Sequence, residues 1–287
     1  MPQTEVLNWA STPPGGCRRG AAGLPGDSAR RDAEILLGHC LGQSRAWLYT
    51  WPEREPPGER VEHYRQLLAR RERGEPVAYL TGWREFWTLQ LKVNPHTLIP
   101  RPETETLVAW ALELPLPAAA EVLDLGTGSG AIALALASER QAWLVEGVDA
   151  SEEALRVATD NAAHLGLEWV RFFYSDWYHA VAARRFHLLV ANPPYIEAAD
   201  AHLQQGDLRF EPRGALVAAD AGLADLARLV GGAPAHLHDG GWLLLEHGYQ
   251  QGEGVRELLR QSGFAKVSTR QDLAGLDRIS GGCWRAG

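Results

Sequence analysis

The sequence predicts an α/β protein in which a parallel sheet follows a smaller helical region. From residue 121 onward, strand-like and helix-like segments alternate, as they do when helices connect the parallel strands of one sheet. The first quarter instead shows apolar residues at helical spacing, and residues 85–93 alternate between apolar and polar side chains like a short hairpin. We therefore expect a helical domain at residues 1–76, a hairpin linker at 77–105 and a sheet domain at 106–287.

Two apolar stripes predict the helices of the first domain. Residues 31–41 and 59–73 each place apolar side chains on one helical face, namely Ala33, Leu36, Leu37, Cys40 and Leu41 in the first and Val61, Tyr64, Leu67 and Leu68 in the second. The second segment closes with the basic cluster Arg70, Arg71 and Arg73. Such a cluster is usually a solvated helix end, although it would also suit a docking partner.

Composition limits the classes of function. The 287 residues carry a net charge of −8 and a pI near 5.7, which gives no general attraction to nucleic acids or anionic membranes but leaves room for a local basic face. The cysteines Cys17, Cys40 and Cys283 form no C-x-x-C pair, so we expect neither a disulfide scaffold nor a metal site. Because the sequence shows no apolar signal-peptide core and no membrane span, we expect a cytoplasmic protein.

The predicted strands of the sheet domain end at glycine or polar residues. They cover residues 121–125 before the glycine turn, 143–149 ending at Asp149, 170–176 ending at Asp176, 186–191 before Asn192, 241–247, 265–269 and 278–285. Open α/β sheets bind ligands at the carboxyl ends of their strands. We therefore expect the residues at the carboxyl ends of these strands to line one site.

A glycine turn follows the first of these strands, with the sequence Gly126, Thr127, Gly128, Ser129 and Gly130. Glycines here allow a tight turn and let backbone N–H groups approach a ligand. Asp149, at the end of the next strand, is placed to accept both hydroxyls of a ribose. The turn reads G-x-G-x-G, so its third glycine comes one residue earlier than in the G-x-G-x-x-G pattern of dinucleotide-binding proteins. S-adenosyl-L-methionine therefore fits better than NAD.

Asp176 and Trp177 complete the predicted cofactor site. An indole can stack on an adenine ring, and the carboxylate can meet its amino edge. Since the chain has 11 tryptophans, Trp177 taken singly is more readily a packing aromatic.

The strand at residues 186–191 stops at the sequence Asn192, Pro193, Pro194 and Tyr195. Each proline lacks an N–H and pushes the residue before it into an extended conformation. An amide side chain, a free carbonyl and an aromatic face are thus brought together. Taken alone, this tetrapeptide is also compatible with a strand that simply ends at prolines.

Several stretches together resemble the release-factor glutamine methyltransferases, the PrmC or HemK family. They are R-R-D-A-E-I-L-L from residue 30, R-R-E-R-G-E-P-V-A-Y-L-T-G-W-R-E-F-W, L-I-P-R-P-E-T-E, D-L-G-T-G-S-G-A-I-A-L-A-L-A, N-P-P-Y and L-Q-Q-G-D-L-R-F-E-P. The resemblance implies a class I S-adenosylmethionine-dependent methyltransferase fold, a Rossmann-like seven-stranded sheet with a small N-terminal helical domain and a hairpin linker. Residues 11–27 depart from the family, because they are rich in Pro and Gly where it usually has an amphipathic first helix.

The resemblance also implies an activity and a partner. The family transfers a methyl group from S-adenosyl-L-methionine to the side-chain amide nitrogen of a glutamine in class 1 peptide chain release factors, leaving S-adenosyl-L-homocysteine. The glutamine is in a G-G-Q loop, and the helical domain would dock the release factor.

The tetrapeptide then has a chemical role in holding the substrate. The Asn192 side-chain oxygen and the Pro193 carbonyl would accept the two amide N–H groups of the glutamine, with Asn192 also beside the cofactor. Pro194 stiffens the loop, and Tyr195 would cover the planar amide. This chemistry needs no metal and no general base.

Two other functions stay open at this point. An adenine-N6 methyltransferase acting on DNA or RNA shares the Asn-Pro-Pro-aromatic pattern, and a non-catalytic S-adenosylmethionine-binding module could act by docking a partner. Arg101, Glu103 and Glu105, and likewise Arg209 and Glu211, either line the site or form structural ion pairs. His247 follows a core strand and is more readily a structural histidine than a base.

Overall fold

The computed structural model describes residues 28–286, which form two compact units. One unit contains residues 28–82 together with Gln204–Phe210, and the other contains Trp83–Leu203 together with the chain from Glu211 onward. The domain boundaries expected at residues 76 and 105 stay a prediction. The Pro- and Gly-rich segment 11–27, where the family's first helix was in doubt, lies outside the described residues.

The helical unit contains the two helices predicted from the apolar stripes and two shorter ones. Their bounds are Ala29–Leu41, Arg45–Thr50, Gly58–Glu72 and Val77–Thr81. The first helix ends at Gly42, which adopts the left-handed conformation (φ 65°), and the second begins where the Ser44 hydroxyl accepts the Trp47 N–H. The predicted faces are confirmed at the centre of this unit, where Leu36, Cys40, Leu67 and Leu80 form a buried cluster.

Arg71 corrects the expectation of a solvated basic cluster. Its guanidinium is buried and donates to Asp32 at 2.9 Å and to Asp207 at 3.2 Å. Arg70 pairs with Glu75 at the helix end, and Arg73 is exposed as expected. Since Asp207 belongs to the segment Gln204–Phe210, Arg71 joins that segment to the helices.

The second unit is built on a seven-stranded sheet, which confirms the predicted fold class. Its strands are β3 (Glu121–Leu125), β4 (Leu144–Asp149), β5 (Arg171–Tyr174), β6 (Phe186–Ala191), β9 (Leu237–Glu246), β10 (Ala265–Gln271) and β11 (Asp277–Cys283). The spatial order is β10-β11-β9-β6-β3-β4-β5, and only the pairs that involve β11 are antiparallel.

Two smaller pairs accompany this sheet. The predicted hairpin is β1 (Trp83–Phe86) with β2 (Leu89–Lys92), and β7 (Ile196–Glu197) pairs in parallel with β8 (Val217–Ala218).

Helices cover both faces of the main sheet. They are Glu105–Glu113, Ala131–Glu139, Glu152–Leu165, Ala224–Gly232 and Gly252–Gln261. Val122 packs into one apolar core and its neighbour Leu123 into the other, because successive side chains of a strand point to opposite faces. Across the described part of the chain, no helix has both the length and the apolar character that crossing a bilayer would require.

The register of the central strands sets the position of the site. Leu125, the last residue of β3, lies beside Val148 of β4 and Ala191 of β6. The glycine turn, Asp149 and Asn192 each follow one of these three residues. The sheet therefore delivers all three to the same edge.

Candidate functional site

A cavity of about 510 Å³ opens at the carboxyl ends of the parallel strands, within the second unit. Nine of the predicted site residues line it: Gly126, Thr127, Gly128, Ser129, Asp149, Asp176, Trp177, Asn192 and Pro194. Gly130, Pro193 and Tyr195 are not among the lining residues. Most of the predicted constellation is thus brought together, and its volume is that of a small-molecule site.

Two of the three glycines of the turn have clearly different roles. All three have positive φ, at 76° for Gly126, 57° for Gly128 and 82° for Gly130. A Cβ on Gly128 would meet nothing within 4 Å, so this residue leaves room on the cavity side. A Cβ on Gly130 would lie only 3.0 Å from Leu134, so Gly130 is required for packing at the start of the following helix.

Asp149 is fixed by backbone donors on both sides. Its Oδ2 accepts the N–H of Gly128 and its Oδ1 accepts the N–H of Ser151, each at 2.9 Å. Burial raises the pKa of Asp149, and these backbone hydrogen bonds oppose the rise. A carboxylate has about four lone-pair positions, so Asp149 can still accept hydroxyl groups from a ligand.

Asp124, which the sequence did not single out, holds the glycine turn by hydrogen bonds to Thr127 and to the start of the following helix. It is fully buried, and its Oδ2 accepts the Thr127 hydroxyl at 2.6 Å and the Ala133 N–H at 3.3 Å. Its Oδ1 has no hydrogen-bond partner among the described residues. Burial raises the pKa of Asp124 to about 7. An acidic residue just before the glycine turn was the signal that would have identified it.

Asp176 and Trp177 lie at the cavity beyond the end of β5, which stops at Tyr174 rather than at Asp176. Asp176 forms a two-point ion pair with Arg228, at 2.9 and 2.7 Å, and this pair lowers the pKa of Asp176. Arg228 also lines the cavity and carried no local sequence signal.

The backbone at Trp177 is held in an uncommon conformation. Trp177 has a φ of 49°, and its carbonyl accepts the Ser175 hydroxyl at 2.7 Å. Its indole would lie 3.2 Å from a Cβ on Gly126, so the ring packs directly against the turn. A residue other than glycine with positive φ is a common feature of functional sites.

Asn192 is oriented by a residue from a different part of the chain. Its side-chain nitrogen donates to the hydroxyl of Thr104 at 3.3 Å, and both residues line the cavity. Thr104 ends the short 3-10 helix Pro102–Thr104. Pro193 is buried next to Asn192, while Pro194 reaches the cavity.

Residues 21–82 match the PrmC N-terminal domain family, and residues 104–209 match the methyltransferase small domain family. A release factor glutamine methyltransferase of Pseudomonas aeruginosa is 55% identical over 90% of this chain and 93% of its own length. Another, from Shewanella oneidensis, is 51% identical over 98% of this chain and 95% of its own length. This chain belongs to the release factor glutamine methyltransferase family.

A solved structure agrees with the fold. A methyltransferase from Pyrococcus furiosus superimposes with a TM-score of 0.54 and 19% identity, covering 77% of this chain and 98% of the other. At that identity the likeness concerns the fold alone.

Within this family member, Tyr195 is held by two residues from the end of β9 and the segment that follows it. Its hydroxyl donates to Glu246 Oε1 at 3.2 Å, and its carbonyl accepts Gln251 Nε2 at 3.1 Å. Burial, with the Glu246 carboxylate, raises the pKa of Tyr195 far above its usual value. The structure therefore ties Tyr195 to the end of β9, and its role as a cover over the substrate amide stays a prediction.

Four of the five charged residues left open by the sequence make defined contacts, while Glu103 is half-buried in the 3-10 helix Pro102–Thr104 and its role stays a prediction. Arg101 pairs with Glu211, whose side chain is fully buried and also accepts the Ile99 N–H at 3.0 Å. Glu105 accepts the Trp87 N–H at 2.9 Å. In the helical unit, the Arg209 guanidinium packs over the Phe210 ring at 5.3 Å. None of these four residues lines the cavity, which favours the structural alternative.

Two histidine environments lie away from the cavity. His247 is buried, and its ring nitrogens contact the Ser280 hydroxyl at 2.7 Å and the Gly248 carbonyl at 2.9 Å, as expected for a structural histidine. Glu121, His187 and His238 bring three possible metal-ligating atoms within 4.8 Å of one another. In this cluster the Glu121 N–H donates to His187 Nδ1, so that nitrogen is already occupied.

Proposed function

We propose that this protein transfers a methyl group from S-adenosyl-L-methionine to the side-chain amide nitrogen, N5, of the glutamine in the G-G-Q motif of class 1 peptide chain release factors. The observation that supports it most is one cavity lined by the glycine turn, Asp149 and Asn192. Membership of the release factor glutamine methyltransferase family supports the same conclusion.

The cofactor side of the cavity suits S-adenosyl-L-methionine. The open space above Gly128 admits a ligand close to the backbone, and the neighbouring Asp149 carboxylate is a preoriented acceptor for ribose hydroxyls. The Trp177 indole provides an apolar face beside them for the adenine. When bound, S-adenosyl-L-methionine supplies an electrophilic methyl group on a sulfonium.

The substrate side has to position a weak nucleophile. The lone pair of a carboxamide nitrogen is delocalised into its carbonyl, so most of the rate gain must come from orientation and from stabilising the developing positive charge. Asn192 Oδ1 and the Pro193 carbonyl each accept one N–H of the glutamine amide. Because Pro194 has no N–H, it brings no competing backbone donor to this place.

The partner and the location follow from the same proposal. The helical domain docks the release factor, which presents its glutamine loop to the cavity. The reaction takes place in the cytoplasm, where release factors act.

Label transfer tests the proposal directly. Purified protein and methyl-labelled S-adenosyl-L-methionine are incubated with a class 1 release factor, with variants whose G-G-Q glutamine is replaced by Ala or Glu, and with matched DNA and RNA oligonucleotides. We expect label only in the release factor with glutamine, at every salt concentration. Label at adenine N6 that falls steeply with salt would support the nucleic-acid alternative, and S-adenosyl-L-homocysteine binding without label in any acceptor would support a non-catalytic module.

A further inference from the structure

The far end of the Asn-Pro-Pro-Tyr tetrapeptide is held by the side chain of Gln251. Gln251 Nε2 donates to the Tyr195 carbonyl and to the Ala221 carbonyl, each at 3.1 Å. Gln251 Oε1 accepts the Gly248 N–H at 2.8 Å. One carboxamide therefore joins three segments of the chain, namely the tetrapeptide, the chain after β8 and the chain after β9.

The backbone groups around Gln251 determine which way its carboxamide points. A backbone carbonyl can only accept a hydrogen bond, and a backbone N–H can only donate one. The NH₂ group must therefore face Tyr195 and Ala221, while the oxygen faces Gly248. Both hydrogens of the NH₂ group and the oxygen are used, so an apolar side chain of the same size cannot replace this link.

The tetrapeptide depends on such an anchor because its own backbone has few donors. Pro193 and Pro194 have no N–H, so neither can donate to a neighbouring strand. Regular pairing resumes at Ile196, whose N–H donates to the Leu216 carbonyl at 2.9 Å. The hydrogen bond from Gln251 thus holds the residue between the two prolines and the start of the pairing.

A glycine lets the chain after β8 pass close to this link. Gly222 has a φ of 82°, and a Cβ at this position would overlap the Tyr195 carbonyl oxygen and lie 2.7 Å from Gln251 Nε2. The two residues before it, Asp220 and Ala221, have φ values of 52° and 53°. Residues other than glycine keep this conformation where surrounding contacts hold them. The backbone that Gln251 binds is therefore shaped to approach the tetrapeptide.

Both of these segments contribute walls to the cavity. Asn192 and Pro194 line it from the tetrapeptide, and Pro212 and Ala215 line it from the chain that leads into β8. Gln251 does not line the cavity, so its effect on a bound substrate passes through the residues that it holds.

We propose that Gln251 is a positioning residue for the substrate amide. By fixing Tyr195 against the chain after β8, it keeps Asn192 Oδ1 and the Pro193 carbonyl at the spacing that the two amide N–H groups require. This inference rests on the proposed function, because it specifies what holds the acceptors of that reaction in place. A weak nucleophile gains most of its rate from orientation, so a small displacement of either acceptor lowers turnover.

Two substitutions separate this role from a local role in the turn at Gly248. Gln251→Glu has the same shape and keeps an acceptor for the Gly248 N–H, but an ionised carboxylate cannot donate to the two carbonyls. Gln251→Met has a similar size and makes none of the three hydrogen bonds. Positioning requires the donors, so both variants should be impaired. A role confined to the turn requires only the acceptor, so Gln251→Glu should then be normal.

The experiment measures kcat and KM for the release factor, with kcat expressed per S-adenosyl-L-homocysteine-binding site counted by calorimetry. For Gln251→Glu and Gln251→Met we expect a kcat about tenfold or more below wild type, a KM within about threefold, and S-adenosyl-L-homocysteine affinity within about twofold. The affinity is retained because Asp149 and the glycine turn take no part in these hydrogen bonds. Gln250→Glu is the matched control, since Gln250 is exposed and donates to the Tyr249 hydroxyl, and it should keep wild-type kcat.

Two results would overturn the positioning role while leaving the proposed function intact. One is wild-type kcat in Gln251→Glu, which would leave Gln251 with the Gly248 contact alone. The other is a loss of S-adenosyl-L-homocysteine affinity as large as the loss of kcat, which would indicate general damage to the unit. If wild-type protein fails to methylate the glutamine, the proposed function falls and the positioning role falls with it. If Gln251→Met does not fold, Gln251→Glu decides the question.

Discussion

Gly128 donates its backbone N–H to Oδ2 of Asp149 across 2.9 Å, so the glycine turn after β3 is fastened to the end of β4 at the cavity. This hydrogen bond fixes the carboxylate before any ligand arrives. A preorganised acceptor contributes more to binding than a mobile one because less freedom is lost on association.

The first prediction follows from that arrangement. Asp149→Ala should weaken S-adenosyl-L-homocysteine binding by about 1.5–3 kcal/mol, the range for hydrogen bonds to a charged group. Isothermal titration calorimetry measures it, with the exposed Glu152→Ala as a control that should bind like wild type. Wild-type affinity in Asp149→Ala would rule out a ribose-binding role for this carboxylate.

Asn192 is predicted to affect the chemistry rather than cofactor binding. Asn192→Ala should lower turnover about a hundredfold, the usual effect of removing one group that stabilises developing charge, with S-adenosyl-L-homocysteine affinity nearly unchanged. Asn192→Asp should also be impaired, because the added charge must be desolvated. A methylation time course beside calorimetry tests both variants. Turnover of Asn192→Ala equal to wild type would eliminate the proposed mechanism.

Local patterns predicted the sheet and the residues that directly follow its strands. Val122 and Leu123 are both apolar because β3 is buried on both faces. A run of consecutive apolar residues of this kind can be recognised in the sequence as a buried strand. Since β4 and β6 both flank β3, Asp149 and Asn192 had to meet the glycine turn.

The supporting residues could not be predicted, because their partners are remote in the chain. Thr104 meets Asn192 across 88 positions, and Arg71 meets Asp207 across 136. No periodicity links such pairs. The orientation of the Tyr195 side chain could not be predicted either, because it depends on a hydrogen bond to Glu246 at the end of another strand.

The ion pair between Arg101 and Glu211 should contribute to stability. The Glu211 side chain is fully buried, so Arg101→Ala leaves an uncompensated buried charge and should lower the free energy of unfolding by about 3 kcal/mol. Urea denaturation measures the loss. Arg156→Ala, which breaks an exposed pair with Glu152, should change stability by less than about 0.5 kcal/mol. Equal stability of the two variants would contradict the burial argument.

Asp124 should make stability depend on pH. Its folded pKa of about 7 is above its ordinary value of 3.8, so between these values the native state binds more protons than the unfolded state. The stabilisation it contributes is present at low pH and is lost as the pH rises through about 7, by a few kcal/mol at most. Asp124→Asn removes this loss.

Urea denaturation at pH 5 and pH 8 tests this sign. Relative to wild type, Asp124→Asn should gain free energy of unfolding on going from pH 5 to pH 8, while the exposed Asp160→Asn should show no such gain. No relative gain in Asp124→Asn would mean that the buried carboxyl is ionised throughout this range.

Alanine variants of two glycines can distinguish the effect of backbone strain from the effect of a blocked ligand site. Gly128 (φ 57°) and Gly166 (φ 67°) are both left-handed, and a Cβ on either would meet nothing within 4 Å. Gly128 lines the cavity, whereas Gly166 caps the helix Glu152–Leu165 and does not line the cavity. An alanine at either position should cost about 1 kcal/mol of stability through the positive φ.

The two variants should therefore differ only in ligand affinity. The methyl group of Gly128→Ala enters the space where we propose that the cofactor approaches the backbone, so S-adenosyl-L-homocysteine affinity should fall by about tenfold or more. Gly166→Ala should bind like wild type despite a similar loss of stability. Thermal unfolding and calorimetry on both variants make the comparison. Wild-type affinity in both variants would show that the cofactor does not approach Gly128, and equal losses of affinity in both would show that reduced stability alone weakens binding.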